Sequence, residues 1–236
     1  MKIKHKMLRG FTLVELLVVI VIIAALAGLT APMVIRQRKK ADQTEAVNNA
    51  RQIGMALFEF ENEYGSFPDD ATATAVRDAT DTALVSGPKA NDRFRQLMRA
   101  GIAQAESMFY AKTAFTKKPD GIMTSDQQAL AAGEVGFGYL MNKTAGFSAA
   151  GNPSRPIIAA PLKIALDGTF DSDFYDSKAV ILKMDNSVTS LPIVSTTGNV
   201  KISGKTITET GEDTVWGKQD GATGVVPTWS FPDPKN

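Results

Sequence analysis

Residues 9–26 read RGFTLVELLVVIVIIAAL and place one carboxylate, Glu15, at the start of an apolar run. The run continues through residues 16–35, which carry no charge. A helix of that length rises about 30 Å, the thickness of a bilayer core. Because an unpaired charge in hydrocarbon costs about 2.5–3.5 kcal/mol on insertion scales, Glu15 needs a partner. The stretch predicts a membrane-spanning helix that begins with a carboxylate, Glu15, in need of a partner.

Basic residues flank the apolar run on both sides, so charge alone does not orient it in a membrane. These residues are Lys2, Lys4, Lys6 and Arg9 before the run, and Arg36, Arg38, Lys39 and Lys40 after it. One interpretation is a secretory signal cleaved after Ala25-Leu26-Ala27, which would leave an exported soluble binding domain. Glu15 argues against this interpretation because a charge weakens the apolar region of a signal peptide.

The residues Gly10-Phe11-Thr12-Leu13-Val14-Glu15, after a short basic leader, resemble the cleavage motif of type IV prepilins and type II secretion pseudopilins. The resemblance implies that a prepilin peptidase cuts between Gly10 and Phe11 and that the new amine of Phe11 is methylated. It also implies that the apolar helix is retained. The mature chain would be held in the bacterial inner membrane and would then join like subunits in a periplasmic or cell-surface filament.

Cleavage after Gly10 would give Glu15 a partner. It creates a positive amine at Phe11, four residues before Glu15 and on the same helix face. The amine of one subunit is then able to pair with Glu15 of the next, and this pairing is strong in a low dielectric. The family uses this glutamate to select neighbours and set register. Snorkelling of Glu15 to the headgroups is the alternative before assembly.

Pro32 lies inside the predicted helix, removes one backbone hydrogen bond and predicts a kink or a local opening. Pilins commonly carry a proline at this position and unwind near it in filaments, whereas a tolerated transmembrane kink is the alternative. The basic residues 36–40 are placed to contact anionic lipid headgroups or acids of a neighbouring subunit.

Beyond Pro32 the helical pattern becomes amphipathic and ends at the stop signals Gly65 and Pro68. Its apolar stripe consists of Val47, Ala50, Ile53, Leu57, Phe60 and Tyr64. The chain therefore divides into a leader (1–10), a long helix (11–68, with 16–35 spanning the membrane) and a globular head (69–236).

The predicted fold class is α+β: the long helix packs its amphipathic half on a small antiparallel sheet, as in pilins. Strand signals cover 135–141, 156–162, 178–184 and 188–194. A turn at Asp185-Asn186-Ser187 suits a hairpin because asparagine tolerates positive φ. Short helices are predicted at 91–101 and 125–130, only a weak surface helix or a loop at 70–85, and an extended or frayed segment at 227–236.

Composition excludes the commonest catalytic mechanisms. The chain has no cysteine and one histidine, His5, which lies in the leader. The body therefore lacks the residues for Ser-His-Asp or Cys-His catalysis and the usual zinc ligands, and we predict no enzyme. A net charge of +1 gives no reason to expect nucleic acid as a partner.

One acidic segment is a candidate metal site, and we predict no other cofactor. Asp167, Asp171, Asp173 and Asp176 lie close together in the sequence. Loops rich in carboxylate oxygens bind calcium, and some pseudopilins hold calcium in loops of the head. The alternative is a solvated acidic turn pinned to the core by the aromatic residues between the acids.

Overall fold

The computed structural model of the chain describes residues 11–82, 87–125, 128–163, 167–217 and 224–235. The chain divides into two compact units, Met1–Lys39 and Lys40–Asn236. The first helix, α1, covers Leu13–Tyr64 and contributes to both units. The predicted leader 1–10, with Gly10, lies outside the described residues, as do two residues of the helix predicted at 125–130.

The first unit contains the apolar part of α1. Its large apolar side chains from Phe11 to Ile35 are between 45% and 86% exposed. Within the described part of the chain, α1 is the one helix that is long and apolar enough to cross a membrane, by length and composition. A contiguous apolar surface of this size needs lipid or protein neighbours.

The second unit begins with the amphipathic part of α1, whose buried face follows the spacing of three and four residues that the sequence predicted. The buried residues are Ala46, Asn49, Ala50, Ile53, Gly54, Ala56, Leu57 and Phe60. Val47 and Tyr64 are partly buried against the same cluster. The helix ends where predicted, and Gly65 adopts the positive φ of 85° that a helix C-terminus favours.

The described part of the head contains two antiparallel sheets. Their strands are β1 (Gly138–Asn142), β2 (Pro156–Ala160), β3 (Lys178–Lys183), β4 (Val188–Pro192), β5 (Lys201–Ile202), β6 (Lys205–Thr206) and β7 (Pro227–Ser230). The larger sheet has the order β4-β3-β2-β1-β7, and β5 pairs with β6. The α+β fold and the four predicted strands are confirmed. The segment predicted as extended or frayed contains β7, which pairs with β1 along its whole length.

The β3–β4 hairpin packs directly against α1. Asn186 occupies the turn with φ of 62°, as predicted for an asparagine in this position. A Cβ atom at Gly54 of α1 would overlap Asn186 Oδ1 and lie 3.1 Å from Leu182 Cδ1. The helix and the hairpin therefore approach so closely that a side chain at position 54 would have to displace the Asn186 side chain.

Two helices, α2 (Asp70–Thr80) and α3 (Ala90–Arg99), precede a 3₁₀ turn at Glu106–Phe109. The prediction underestimated α2, whose first turn is a capping box: Thr72 N–H donates to Asp69 Oδ1 and Asp69 N–H donates to Thr72 Oγ1, both at 2.8 Å. Thr72 Oγ1 also donates to Gln96 Oε1 of α3 at 2.7 Å. Polar contacts of this kind produce no apolar periodicity in the sequence, and for this reason the sequence pattern did not indicate a stable helix here.

Candidate functional site

The start of α1 carries the residues predicted for processing and assembly. Phe11 is 83% exposed. Gly10, on the other side of the predicted scissile bond, is outside the described residues. The described part of the motif therefore begins with the residue whose amine would be methylated.

Thr12 and Glu15 form a capping box at the first turn of α1. Thr12 N–H and Thr12 Oγ1–H both donate to Glu15 Oε2 at 2.8 Å. Glu15 N–H donates in return to Thr12 Oγ1 at 3.2 Å. The sequence analysis missed this role of Glu15, although a threonine three residues before a glutamate is the usual signal for it. Glu15 thus stabilises the start of its own helix before any neighbour arrives.

The second carboxylate oxygen, Glu15 Oε1, accepts no hydrogen bond from the described residues, while Oε2 takes both donors from Thr12. A carboxylate has about four lone-pair positions, so the capping box leaves room for a further donor. The side chain is exposed at the end of the helix. The geometry is suited to accept an ammonium group from another chain without breaking the cap.

Pro32 lies within α1, which continues as one helix on both sides of it. Proline donates no backbone hydrogen bond, so the carbonyl oxygen of Gly28, four residues earlier, lacks its usual donor. Thr30 Oγ1 donates to the carbonyl oxygens of Leu26 and Ala27 at 3.1 and 3.3 Å. Opening of the helix at Pro32 in an assembled filament stays a prediction.

The amphipathic part of α1 is tied to the head by polar contacts as well as by its apolar face. Lys112 Nζ donates to Asp42 Oδ2 at 2.8 Å. The Nδ2 group of Asn49, which is 9% exposed, donates to the carbonyl oxygens of Ser107 and Tyr110 at 3.1 and 2.9 Å. These contacts fix the orientation of this part of the helix on the head.

The four aspartates predicted to bind calcium lie in a loop of consecutive turns before β3. Asp167 Oδ1 accepts hydrogen bonds from Thr169 Oγ1 and Thr169 N–H at 2.7 and 2.9 Å, and these bonds lower the pKa of Asp167. Asp171 Oδ1 accepts the N–H of Asp173 at 3.0 Å. These two side chains stabilise their own turns, and calcium binding by Asp167, Asp171, Asp173 and Asp176 stays a prediction.

A second group of carboxylates, which the sequence analysis missed, lies between α3 and β1. Oxygens of Glu106, Asp120 and Glu134 lie within 4.8 Å of one another. Glu106 and Glu134 are buried, whereas Asp120 is exposed. Their separation along the chain explains why no sequence pattern indicated them, because only the tertiary fold brings them together.

The fold and the first turn of α1 together define a class of protein. A long helix that is apolar and exposed in its first half packs its second half on an antiparallel sheet. A single carboxylate stands at the beginning of the apolar surface. This is the arrangement of a pilin-like subunit.

Comparison with known proteins agrees with that class. Residues 6–31 match the family model described as the prokaryotic N-terminal methylation motif. The type II secretion system core protein G of Klebsiella pneumoniae is 30% identical over 128 residues, which are 54% of this chain and 78% of that relative. No solved structure matches the chain significantly.

Two further relatives with the same description match the chain over shorter stretches. Proteins of the same name from Pectobacterium carotovorum subsp. carotovorum and Escherichia coli K12 are 38% and 40% identical over 60 and 58 residues. These matches cover 38% and 40% of the two relatives. The chain belongs to the pseudopilin family of the type II secretion system core protein G.

Family membership and the apolar helix together make the chain a membrane-anchored structural subunit of a pseudopilus-type filament. The matched motif includes the residues on both sides of the predicted cleavage bond. It therefore favours the prepilin interpretation over a secretory signal removed after residue 27.

Proposed function

We propose that prepilin peptidase cleaves the chain between Gly10 and Phe11 and that the amine of Phe11 is then methylated. Residues 16–35 hold the mature subunit in the inner membrane until it joins copies of itself or related pilin subunits in a periplasmic or cell-surface filament. The observation that carries the proposal is the exposed apolar surface of α1, which begins at a carboxylate with one oxygen that accepts no hydrogen bond from the described residues. The subunit has a structural role and no catalytic one.

Packing of like helices supplies the driving force for assembly. Lipid tails are as apolar as leucine, so helices that leave the bilayer gain mainly from close van der Waals contact and from polar pairs between them. The apolar side chains of α1 between Leu13 and Ile35 offer such contacts over the whole length of a spanning helix. Apolar surface alone does not choose one register among many, so a polar pair is needed to fix it.

The amine of Phe11 and the carboxylate of Glu15 supply that register. In our proposal the amine of one subunit meets Glu15 Oε1 of its neighbour, while Thr12 keeps its two bonds to Oε2. Four residues of α-helix correspond to an axial offset of about 6 Å between the two chains. Since removing one partner of a buried ion pair costs about 3–5 kcal/mol, other registers are strongly disfavoured.

The basic residues after the spanning segment serve the membrane-held stage. Arg36, Arg38 and Lys40 are exposed and directly follow the apolar surface. Each basic residue near an anionic membrane surface contributes about 1 kcal/mol, so the group would hold the helix at the lipid headgroups. When the subunit leaves the membrane it loses this binding free energy, and contacts in the filament have to offset the loss.

The intact mass of the mature chain tests the proposal. Subunits from membranes and from sheared filaments should both begin at Phe11 and carry one additional methyl group. A chain that begins after Ala27 and is recovered in the soluble fraction would support the exported binding domain and contradict the proposal. A Gly10→Leu variant is the matched control, because it should keep the leader and stay in the membrane.

A further inference from the structure

A groove of about 290 Å³ lies at the C-terminal end of α3 and is lined mainly by Met98, Gly101, Ala103, Met123 and Ala129. Ala103 and Ala129 are buried, and their short side chains leave the space that the two longer methionines border. Sites for small molecules usually measure about 300–1,000 Å³. A groove of this size therefore suits one side chain of a partner better than a whole ligand.

Hydrogen bonds fix the groove before any partner arrives. Arg95 Nε donates to the carbonyl oxygen of Ala129 at 2.7 Å, and Arg95 Nη2 donates to that of Leu130 at 2.9 Å. Asn91 Nδ2 also donates to the carbonyl oxygen of Leu130, at 2.8 Å. These bonds tie α3 to the segment that supplies Ala129. Because the groove is already formed, little conformational entropy is lost when it is filled.

An exposed side chain of matching chemistry lies on α1. In the described residues from 40 onward, three large apolar side chains are exposed. Two of them, Ile122 and Met123, are 44% and 38% exposed and belong to the groove region. The third, Met55, is 57% exposed and lies on the face of α1 opposite the buried Ile53 and Leu57. A flexible methionine suits a groove bordered by methionines, because these side chains adapt to each other's shape.

The charges beside the two surfaces are complementary. Arg51 and Glu59 are exposed and lie about one turn before and after the exposed methionine of α1, on the same face. Arg99 lines the groove. Asp120 lies beside it, because Asp120 Oδ1 accepts the N–H of Ile122 at 2.9 Å. Each surface thus has an apolar centre with one positive and one negative neighbour, and such charges fix the orientation of a contact.

The exposed methionine and the groove are different surfaces of the same head. A contact that joins Met55 of one copy to the groove of another is therefore heterologous. Heterologous contacts repeat from copy to copy and generate open helical filaments when the rotation does not close a ring. This is the kind of contact that a filament subunit needs between its heads.

We propose that Met55 of one subunit inserts into the groove of a second copy of this chain. Arg51 and Glu59 of the first subunit then face Asp120 and Arg99 of the second. This inference rests on the proposed function, because assembly into a filament brings the heads into repeated contact. It adds a contact between heads to the pairing of the Phe11 amine with Glu15.

Crosslinking in sheared filaments tests the contact, because the chain has no cysteine of its own. The double variant Met55→Cys/Met123→Cys, treated with a short bis-maleimide, should give a ladder of dimers, trimers and longer products. Each single variant should stay monomeric. Asn62→Cys/Met123→Cys is the matched control, because Asn62 is exposed on the same face of α1 about 10 Å further along. It should give at least fivefold less crosslinked product.

A second measurement uses the filament content of single variants. Met55→Ser should lower the amount in sheared filaments at least fivefold, and Met55→Leu should restore it. Because the side chain is exposed, Met55→Ser should leave unchanged the amount in membranes and the Tm of the full-length chain in detergent.

Two results would overturn the inference and leave the proposed function intact. One is a normal amount of Met55→Ser in filaments. The other is a double-cysteine variant that enters filaments and forms no ladder, or no more of it than the Asn62 control. Failure of the unmodified chain to form filaments would overturn both proposals.

Discussion

At the scale of single residues, our proposal gives Glu15 two roles that use different oxygens. Oε2 belongs to the capping box with Thr12, whereas Oε1 accepts no hydrogen bond from the described residues and is the atom to which we assign the neighbour's amine. The capping box explains how a carboxylate is tolerated at the beginning of an apolar surface before assembly. It also holds the side chain in one position, so that less conformational entropy is lost when the neighbour's amine arrives.

Thr12 should therefore support assembly through Glu15. Thr12→Ala removes the hydroxyl from the capping box, which typically costs about 0.5–2 kcal/mol of helix stability. We expect fewer subunits in sheared filaments at an unchanged amount in membranes, and Thr12→Ser should restore the filament fraction because serine keeps the hydroxyl. Equal filament fractions for Thr12→Ala and the unmodified chain would contradict this role.

Gly54 should contribute to stability for a different reason, the close approach of α1 to the β3–β4 turn. Gly54→Ala places a methyl group against Asn186 Oδ1 and should lower the free energy of unfolding by about 1–3 kcal/mol. Urea unfolding of the full chain in detergent measures the loss.

A second variant separates this overlap from other effects of alanine at position 54. Asn186→Gly removes the obstructing side chain and keeps the positive φ of the turn. Gly54→Ala should therefore destabilise an Asn186→Gly background by less than it destabilises the unmodified chain. Identical losses in both backgrounds would place the cause elsewhere.

At the scale of secondary-structure elements, the sequence predicted what depends on local pattern. β1 to β3 are mostly apolar runs bounded by turn residues, β4 follows the turn at Asn186, and α1 has a clear amphipathic stripe. β7 was harder to predict because Pro227 and the polar residues around Trp229 resemble a loop. Proline is nevertheless allowed at the first residue of an edge strand, which is the position that Pro227 occupies.

Tertiary contacts decided the elements and sites that the sequence did not reveal. The stability of α2 depends on Asp69, whose Oδ1 caps the helix and whose Oδ2 accepts the N–H of Gly146 at 3.0 Å. The cluster of Glu106, Asp120 and Glu134 likewise joins residues that are distant in the chain. Propensity and periodicity do not contain such contacts, so only a structure identifies them.

The double role of Asp69 gives a prediction for α2. Asp69→Ala should leave two backbone donors without acceptors and lower the free energy of unfolding by about 2–4 kcal/mol. Asp69→Asn keeps one acceptor oxygen and should cost less. Thermal unfolding of both variants in detergent checks the order, and an equal loss for the two would contradict the account of the cap.

At the scale of the whole molecule, the acidic cluster should give the head an unusual pH dependence. The pKa of Glu106 is raised in the folded chain, so the folded chain binds this proton more tightly than the unfolded chain does. The contribution of Glu106 to the free energy of unfolding should therefore increase as the pH falls through the raised pKa. Urea unfolding of the full chain in detergent at a series of pH values measures this increase.

Glu134→Gln provides the comparison for that series. It removes one negative charge facing Glu106, so the pKa of Glu106 should move back toward its ordinary value and the acid-dependent gain should shrink. An identical pH profile for the variant and the unmodified chain would show that the cluster does not control this dependence.

The central claim for the whole molecule is that a retained apolar helix assembles in a register fixed by Glu15. Comparing Glu15→Ala with the unmodified chain, in membranes and in sheared filaments, tests it most directly. The account predicts normal amounts of the variant in membranes and a loss of more than about tenfold from filaments, because the neighbour's amine has no partner. Incorporation of Glu15→Ala into filaments at the normal level would contradict the claim.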